Sequence, residues 1–124
     1  MADEVSTHAL IMAGRVIGAA VFNKDGERIG HVEDLSIDKA SGRVLYAILS
    51  FGGFLGVGEH LHPMPWPILE FDTALNGYVA PLDRAALEKA PSLDRARLEE
   101  LGAGDAWRTQ LFAYYGPYGA PPYI

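Results

Sequence analysis

Residues 43–51 read RVLYAILSF, and this stretch decides the fold. Its apolar residues fill odd and even positions alike, whereas a strand with one solvated face alternates apolar and polar residues. Because side chains on a strand point alternately to its two faces, the pattern predicts a strand covered on both faces. We expect a barrel core on one face, and on the other either the chain's own tail or a second subunit.

Turn signals divide the flanking sequence into short strands. Asp25-Gly26 and Asn76-Gly77 each stand between apolar runs, and glycine tolerates the positive φ that a tight hairpin requires. Close spacing with turns between is typical of a small barrel rather than of βαβ units. The sequence predicts strands within residues 16–22, 27–38, 43–51, 60–66, 68–72 and 78–82.

The second predicted strand, residues 27–38 (ERIGHVEDLSID), has a fault in its alternation. Gly30 and Val32 share one parity, whereas Leu35 and Ile37 share the other, so a regular strand would send the two pairs to opposite faces. A bulge near Glu33-Asp34 would bring all of them inward, and barrels use such bulges to curve.

Proline and glycine mark the region after the central strand. Residues 52–59 (GGFLGVGE) read as a glycine-rich connection, and they lack the lysine that a phosphate-binding loop needs. Pro63 and Pro65 cannot donate to a hydrogen-bond ladder, which predicts an edge strand or a barrel corner for residues 60–66.

Helix signals replace strand signals after Asp83. The predicted helices span residues 84–90, residues from Ser92 or Asp94 to Gly102, and residues from Asp105 to Gly116-Pro117. In the third helix, Trp107, Leu111 and Tyr114 fall at helical spacing and form an apolar stripe.

The length of 124 residues predicts one domain with one core. We expect a flexible leader at residues 1–13 and a barrel at residues 14–82. Residues 83–124 form a helical, aromatic-rich extension that packs on the barrel or on a neighbouring subunit.

Composition argues against several function classes. The chain has no cysteine, so disulfides, thiolate metal sites and cysteine nucleophiles are excluded. Ten Lys and Arg residues are scattered among sixteen Asp and Glu residues, which disfavours direct nucleic-acid binding. No stretch approaches the roughly 20 apolar residues of a membrane span, and the acidic start is unlike a signal peptide. We therefore expect a cytoplasmic protein without a membrane span.

The order of these features resembles the PRC-barrel domain, a family named after the photosynthetic reaction centre H subunit. The most specific matching residues are Asp25-Gly26, Gly30, Asp38, Gly42-Arg43, the GGFLG run at 52–56, and Pro65-Trp66. The resemblance implies a mainly β fold: a small six-stranded barrel followed by short C-terminal helices, as in stand-alone bacterial members. It also implies a scaffold or partner-binding role and no shared chemistry.

Polar candidates for chemistry are few. His60 and His62 share strand parity and would face one metal ion, although a site needs a third ligand and Glu59 has the opposite parity. Carboxylate pairs such as Glu33-Asp34 have no partner arrangement typical of acid–base catalysis. We expect no enzyme activity and no cofactor.

Apolar and aromatic residues motivate the functional hypothesis. We expect a non-catalytic interaction module that forms a homodimer and binds a protein partner. Two alternatives stay open: a small-ligand or metal-binding protein using His60 and His62, and, by analogy with one relative, a ribosome-associated maturation factor. The expected interaction residues are Leu45, Tyr46, Leu49, Phe51, Phe54, Leu55, Trp66, Trp107, Leu111 and Tyr114.

Overall fold

The computed structural model describes residues 10–51 and 60–119. A single turn of α-helix precedes six strands, and two further α-helices follow them. The helices are α1 (Ala13–Val16), α2 (Arg84–Glu88) and α3 (Ala106–Tyr115). The strands are β1 (Ala20–Phe22), β2 (Arg28–Ile37), β3 (Val44–Phe51), β4 (Leu61–Pro65), β5 (Glu70–Asp72) and β6 (Gly77–Val79).

The six strands form one mixed sheet in the order β4-β3-β2-β1-β6-β5. Every neighbouring pair is antiparallel except β1 and β6, which are parallel. All six predicted strand regions contain a strand, and the mainly β class is confirmed. The hydrogen bonding does not close the predicted barrel within the described residues, because β4 and β5 remain as the two edges of the sheet.

The predicted bulge in β2 is confirmed. The register of β2 against β3 shifts between Val32 and Asp34, which leaves Glu33 as the extra residue. The shift lets Val32 and Leu35 both pack toward the core despite their opposite parity. The expectation for Ile37 is wrong: a further register shift follows Ser36, and Ile37 is 52% exposed.

The central prediction, a strand covered on both faces, is confirmed for β3. The four consecutive residues Tyr46 to Leu49 are all buried, so both faces are covered. The chain's own tail joins the core that contains β3, since Leu111 and Tyr115 of α3 belong to the same buried cluster and α3 packs on the neighbouring strand β4. The doubly buried strand therefore gives no support by itself to the predicted homodimer.

The extension contains the predicted succession of helices. Asp83 caps α2, its side chain accepting a hydrogen bond from the Ala86 N–H at 2.8 Å. The second helix is a 3₁₀ helix at Arg95–Gly102, and α3 ends at Tyr115, directly before the predicted stop at Gly116. No helix in the part of the chain that the structure describes has the length and apolar character to cross a bilayer.

The start of the sheet differs from the prediction of a strand over residues 16–22. Residues Ala13–Val16 form a helical turn, and β1 begins only at Ala20. Gly18, with φ of +92°, turns the chain between the two, and its N–H donates to the Val32 carbonyl at 2.7 Å.

Candidate interaction surface

The edge at β4 is closed by the chain itself. Leu61 and Leu93 exchange two backbone hydrogen bonds of 2.9 Å, so Leu61 directs its N–H and C=O away from β3. Alternate residues of an antiparallel strand direct these groups to the same side, so positions 63 and 65 also face outward. Both are prolines and have no N–H to offer, as the sequence predicts for an edge strand.

The opposite edge, β5, is open as far as residues 10–51 and 60–119 are concerned. Within these residues, Glu70–Asp72 pair only with β6, and none of the three is a proline. The turn into β6 is fixed locally, because the Asp72 side chain accepts hydrogen bonds from the N–H groups of Ala74 and Leu75 at 2.9 and 3.1 Å. The outward groups of β5 are therefore those of an unpaired strand edge.

A row of aromatic rings connects the core to this edge. Tyr78 on β6 is buried, and its ring lies 5.4 Å from Trp66 on one side and 5.3 Å from Phe71 on the other. Such spacings are favourable aromatic contacts. Phe71 ends the row on β5 and keeps 42% of its surface exposed.

A cleft of about 540 Å³ lies beside β5, and we call it the β5 cleft. Its apolar lining residues are Phe71, Ala74, Leu75 and Val79. Leu75, like Phe71, is substantially exposed, at 38%. Exposed apolar side chains grouped beside an unpaired strand edge are typical of a surface that binds another chain.

The charged residues that line the β5 cleft are mostly acidic: Asp25, Glu70 and Asp72 against Lys24. The turn that carries Lys24 and Asp25 is held in place by Asn23. The Asn23 side-chain oxygen accepts hydrogen bonds from the N–H groups of Asp25 and Glu27, both at 3.0 Å. The cleft lining therefore combines exposed apolar side chains with a net negative charge.

A separate polar cluster joins the extension to the bulge in β2. Glu33 accepts a 2.8 Å hydrogen bond from Arg95, and the His31 ring lies 2.9 Å from its other oxygen. The hydrogen bonds to His31 and to Arg95 lower the pKa of Glu33. Because Arg95 begins the 3₁₀ helix of the extension, this ion pair fastens the extension to the sheet.

The two histidines predicted to share a metal differ in environment. His60 precedes β4 and is exposed, whereas His62 is buried against Phe51 with ring centroids 5.0 Å apart. Burial lowers the pKa of His62, and its Nδ1 has no hydrogen-bond partner. Within residues 10–51 and 60–119, no three His, Asp or Glu side chains converge on a position suited to a metal ion.

The predicted interaction residues separate into three groups. Tyr46, Leu49 and Leu111 are buried in the chain's own core. Five residues are partly buried against that core, and the hydroxyl of one of them, Tyr114, donates to the Ala86 carbonyl. These five are Leu45, Phe51, Trp66, Trp107 and Tyr114. Phe54 and Leu55 lie outside the described residues.

Phe71 and Leu75, the exposed apolar residues at the open edge, are not among the residues predicted from the sequence. The two prolines of residues 61–65 mark that strand as an edge, but a strand without proline, such as residues 70–72, can be central or at an edge.

These features define a class of protein: a small, mainly β module in which a helical extension covers one sheet edge and leaves the other open. The family model of the PRC-barrel domain matches residues 11–85, more than half of the chain, and the chain belongs to this family. The resemblance seen in the sequence is thereby confirmed. No curated protein gives a significant match to the chain.

Proposed function

We propose that this chain is a non-catalytic interaction module that binds protein through the β5 edge and its cleft, and that a second copy of the chain is one such partner. PRC-barrel domains mediate protein interactions, which supports the general role. The single observation that carries the proposal is the contrast between a sealed β4 edge and an open β5 edge lined by exposed Phe71 and Leu75.

The charged groups of the described chain support a structural rather than a chemical role. The Glu33 carboxylate is occupied by His31 and Arg95, and its contacts hold the extension in place. The charged groups that line the β5 cleft are three carboxylates and one lysine beside apolar side chains, an arrangement suited to binding an extended chain.

Sedimentation velocity over a range of concentrations tests the proposal. We expect a reversible increase in mass with concentration for the natural chain. The variant Phe71→Ser should stay monomeric, because it removes the exposed aromatic group at the edge. A matched control is Ile37→Ser, which replaces an exposed apolar residue away from the β5 cleft and should associate like the natural chain.

Two results would overturn the proposal. One is a monomer at every concentration, which removes self-association. The other is equal association of Phe71→Ser and the natural chain, which removes the β5 edge as the contact. Circular dichroism of each variant shows that a loss of association is not a loss of fold.

A further inference from the structure

We infer that residues 91–93 form an acid-sensitive latch on the closed edge of the sheet: protonation of His62 beneath them releases the latch and exposes the edge of β4. This inference does not depend on the self-association proposed above. It follows from the position of His62, from the hydrogen bonds that its ring can make, and from the few contacts that hold residues 91–93 in place.

His62 lies between the central strand and the latch. Its backbone pairs with Leu49 of β3, and its ring packs against the ring of Phe51. Backbone hydrogen bonds join the ring to Pro91, the first residue of the latch, and to Ala90 before it. Only 7% of the surface of His62 is exposed, so the latch and Phe51 together shield the ring from water.

The surroundings of the His62 ring suit neutral histidine and oppose the protonated form. Its Nδ1 has no hydrogen-bond partner. A neutral imidazole carries an N–H on one ring nitrogen, whereas imidazolium carries one on each. Protonation would therefore bury a charge and leave the Nδ1–H donor without an acceptor, and both are costly. The hydrogen bonds to Pro91 and Ala90 favour protonation, but burial outweighs them and lowers the pKa of His62.

The strand and the extension beside His62 offer its ring no carboxylate partner within residues 10–51 and 60–119. β3 contains no charged residue. The charged residues next to the latch in sequence are Glu88, Lys89 and Asp94, and all three are exposed to solvent. An imidazolium at position 62 would therefore lack the opposite charge that makes a buried ion tolerable.

The other titratable neighbours of His62 do not favour protonation either. The charge of His60 acts on the ring and lowers the pKa of His62 further. The helix α3, which packs on β4, carries Arg108, Tyr114 and Tyr115. Arg108 is a cation, and the two tyrosines stay neutral because burial raises the pKa of both hydroxyls. Only exposure to water returns His62 to its ordinary pKa of 6.5, so acid favours the open latch.

The latch is held to the sheet more weakly than the strands are held to one another. Its backbone contact is the pair of 2.9 Å hydrogen bonds between Leu61 and Leu93, whereas β4 pairs with β3 over five residues. Leu93 is buried but is not part of the main hydrophobic cluster, to which Ala90 belongs. The latch can therefore move away and free the N–H and C=O of Leu61 while the sheet stays folded.

Amide hydrogen exchange tests the latch, measured on dilute protein by NMR and corrected for the intrinsic effect of pH. The N–H groups of Leu61 and Leu93 donate to each other's carbonyls, so their protection reports opening of the latch. We expect both to lose protection between pH 7 and pH 5, by at most about 25-fold for a group with an ordinary pKa of 6.5. In His62→Gln the protection of both should be independent of pH over this range.

The Ala80 N–H is the reference for global unfolding, because it donates to the Phe22 carbonyl at 2.9 Å on the far side of the sheet. We expect Leu61 and Leu93 to be less protected than Ala80, and low concentrations of urea to reduce their protection less. Equal protection and equal urea dependence at the three amides would show that the edge opens only when the whole fold does. That result would overturn the inference, as would a pH dependence that persists in His62→Gln.

A second measurement needs no variant and applies even if His62→Gln does not fold. NMR of the histidine rings in the natural chain follows the protonation of His62 directly. We expect its midpoint to lie below the ordinary pKa of 6.5. A His62 ring that titrates at or above 6.5 would overturn the inference, because acid would then give no preference for the open latch.

Discussion

The two edges of the sheet differ in what happens to the backbone hydrogen-bonding groups of the edge strand. An unpaired edge strand exposes hydrogen-bonding groups that attract other chains. At β4 the N–H and C=O of Leu61 bond to Leu93, Pro63 and Pro65 have no N–H to donate, and the C-terminal helix packs alongside. At β5 the pairing groups stay available, and exposed Phe71 lies beside them. The difference indicates that the extension stabilises the fold, and it is the basis of our proposal that β5 binds a partner.

The largest effect should come from removing a core contact on the closed side. Leu111 is 1% exposed and lies in the main buried cluster, so Leu111→Ala leaves a cavity and should lower the free energy of unfolding by about 3 kcal/mol. Thr109→Ala, at an exposed position of the same helix, should change it by less than about 0.5 kcal/mol. Urea unfolding measures both. A small loss for Leu111→Ala would mean that the extension does not pack on the sheet.

The next largest effect should come from Gly77, whose strand β6 supports the open β5 edge. A Cβ atom at Gly77 would lie 2.6 Å from the Ala20 carbonyl oxygen, where β6 runs beside β1. Gly77→Ala should therefore cost about 2 kcal/mol of stability, and it should weaken association by displacing the β5–β6 hairpin. Gly14→Ala is the control, because its Cβ would meet no atom within 4 Å. If Gly77→Ala is as stable as the natural chain and associates equally well, this account of the hairpin is contradicted.

We expect buried His62, on the closed side of the sheet, to make the free energy of unfolding depend on pH. Its pKa is lowered by burial, so the unfolded chain takes up a proton before the folded chain does as the pH falls below about 6.5. The free energy of unfolding is therefore unaffected by His62 protonation above that pH. It falls on acidification, with a slope of at most about 1.4 kcal/mol per pH unit. His62→Gln should flatten the stability profile between pH 7 and pH 5 (roughly the histidine range). An unaltered profile for His62→Gln would count against a buried imidazole.

The smallest effect should come from the ion pair between Arg95 and Glu33. Both side chains are partly exposed, so Arg95→Gln should cost about 0.5 kcal/mol. Because the pKa of Glu33 is lowered in the folded state, the stabilisation is present above its ordinary value of 4.5 and disappears as the pH falls below it. The part of the difference between variant and natural chain that comes from Glu33 should therefore shrink in acid.

Much of the fold follows from the sequence, because local patterns specify it. The apolar residues of 43–51 and the broken alternation around Glu33 each predict what the structure shows. Strand ends are less predictable, since Gly18 turns the chain before β1 and a second register shift exposes Ile37. Periodicity identifies which residues are covered but not which segment covers them.

The candidate site was harder to predict for the same reason. Phe71 and Leu75 are apolar residues beside a strand and a turn, and their exposure depends on which strand forms the sheet edge. That position follows from the parallel pairing of β1 with β6, a long-range contact that no local pattern specifies. Proline content correctly marked β4 as an edge, but it carried no information about the second edge.

Hydrogen–deuterium exchange at low and high protein concentration tests the open-edge claim most directly. We predict that raising the concentration slows exchange in the strand at residues 70–72, while exchange at residues 61–65 stays the same. Concentration-dependent protection at residues 61–65, with none at residues 70–72, would contradict the assignment of the β5 edge as the binding surface.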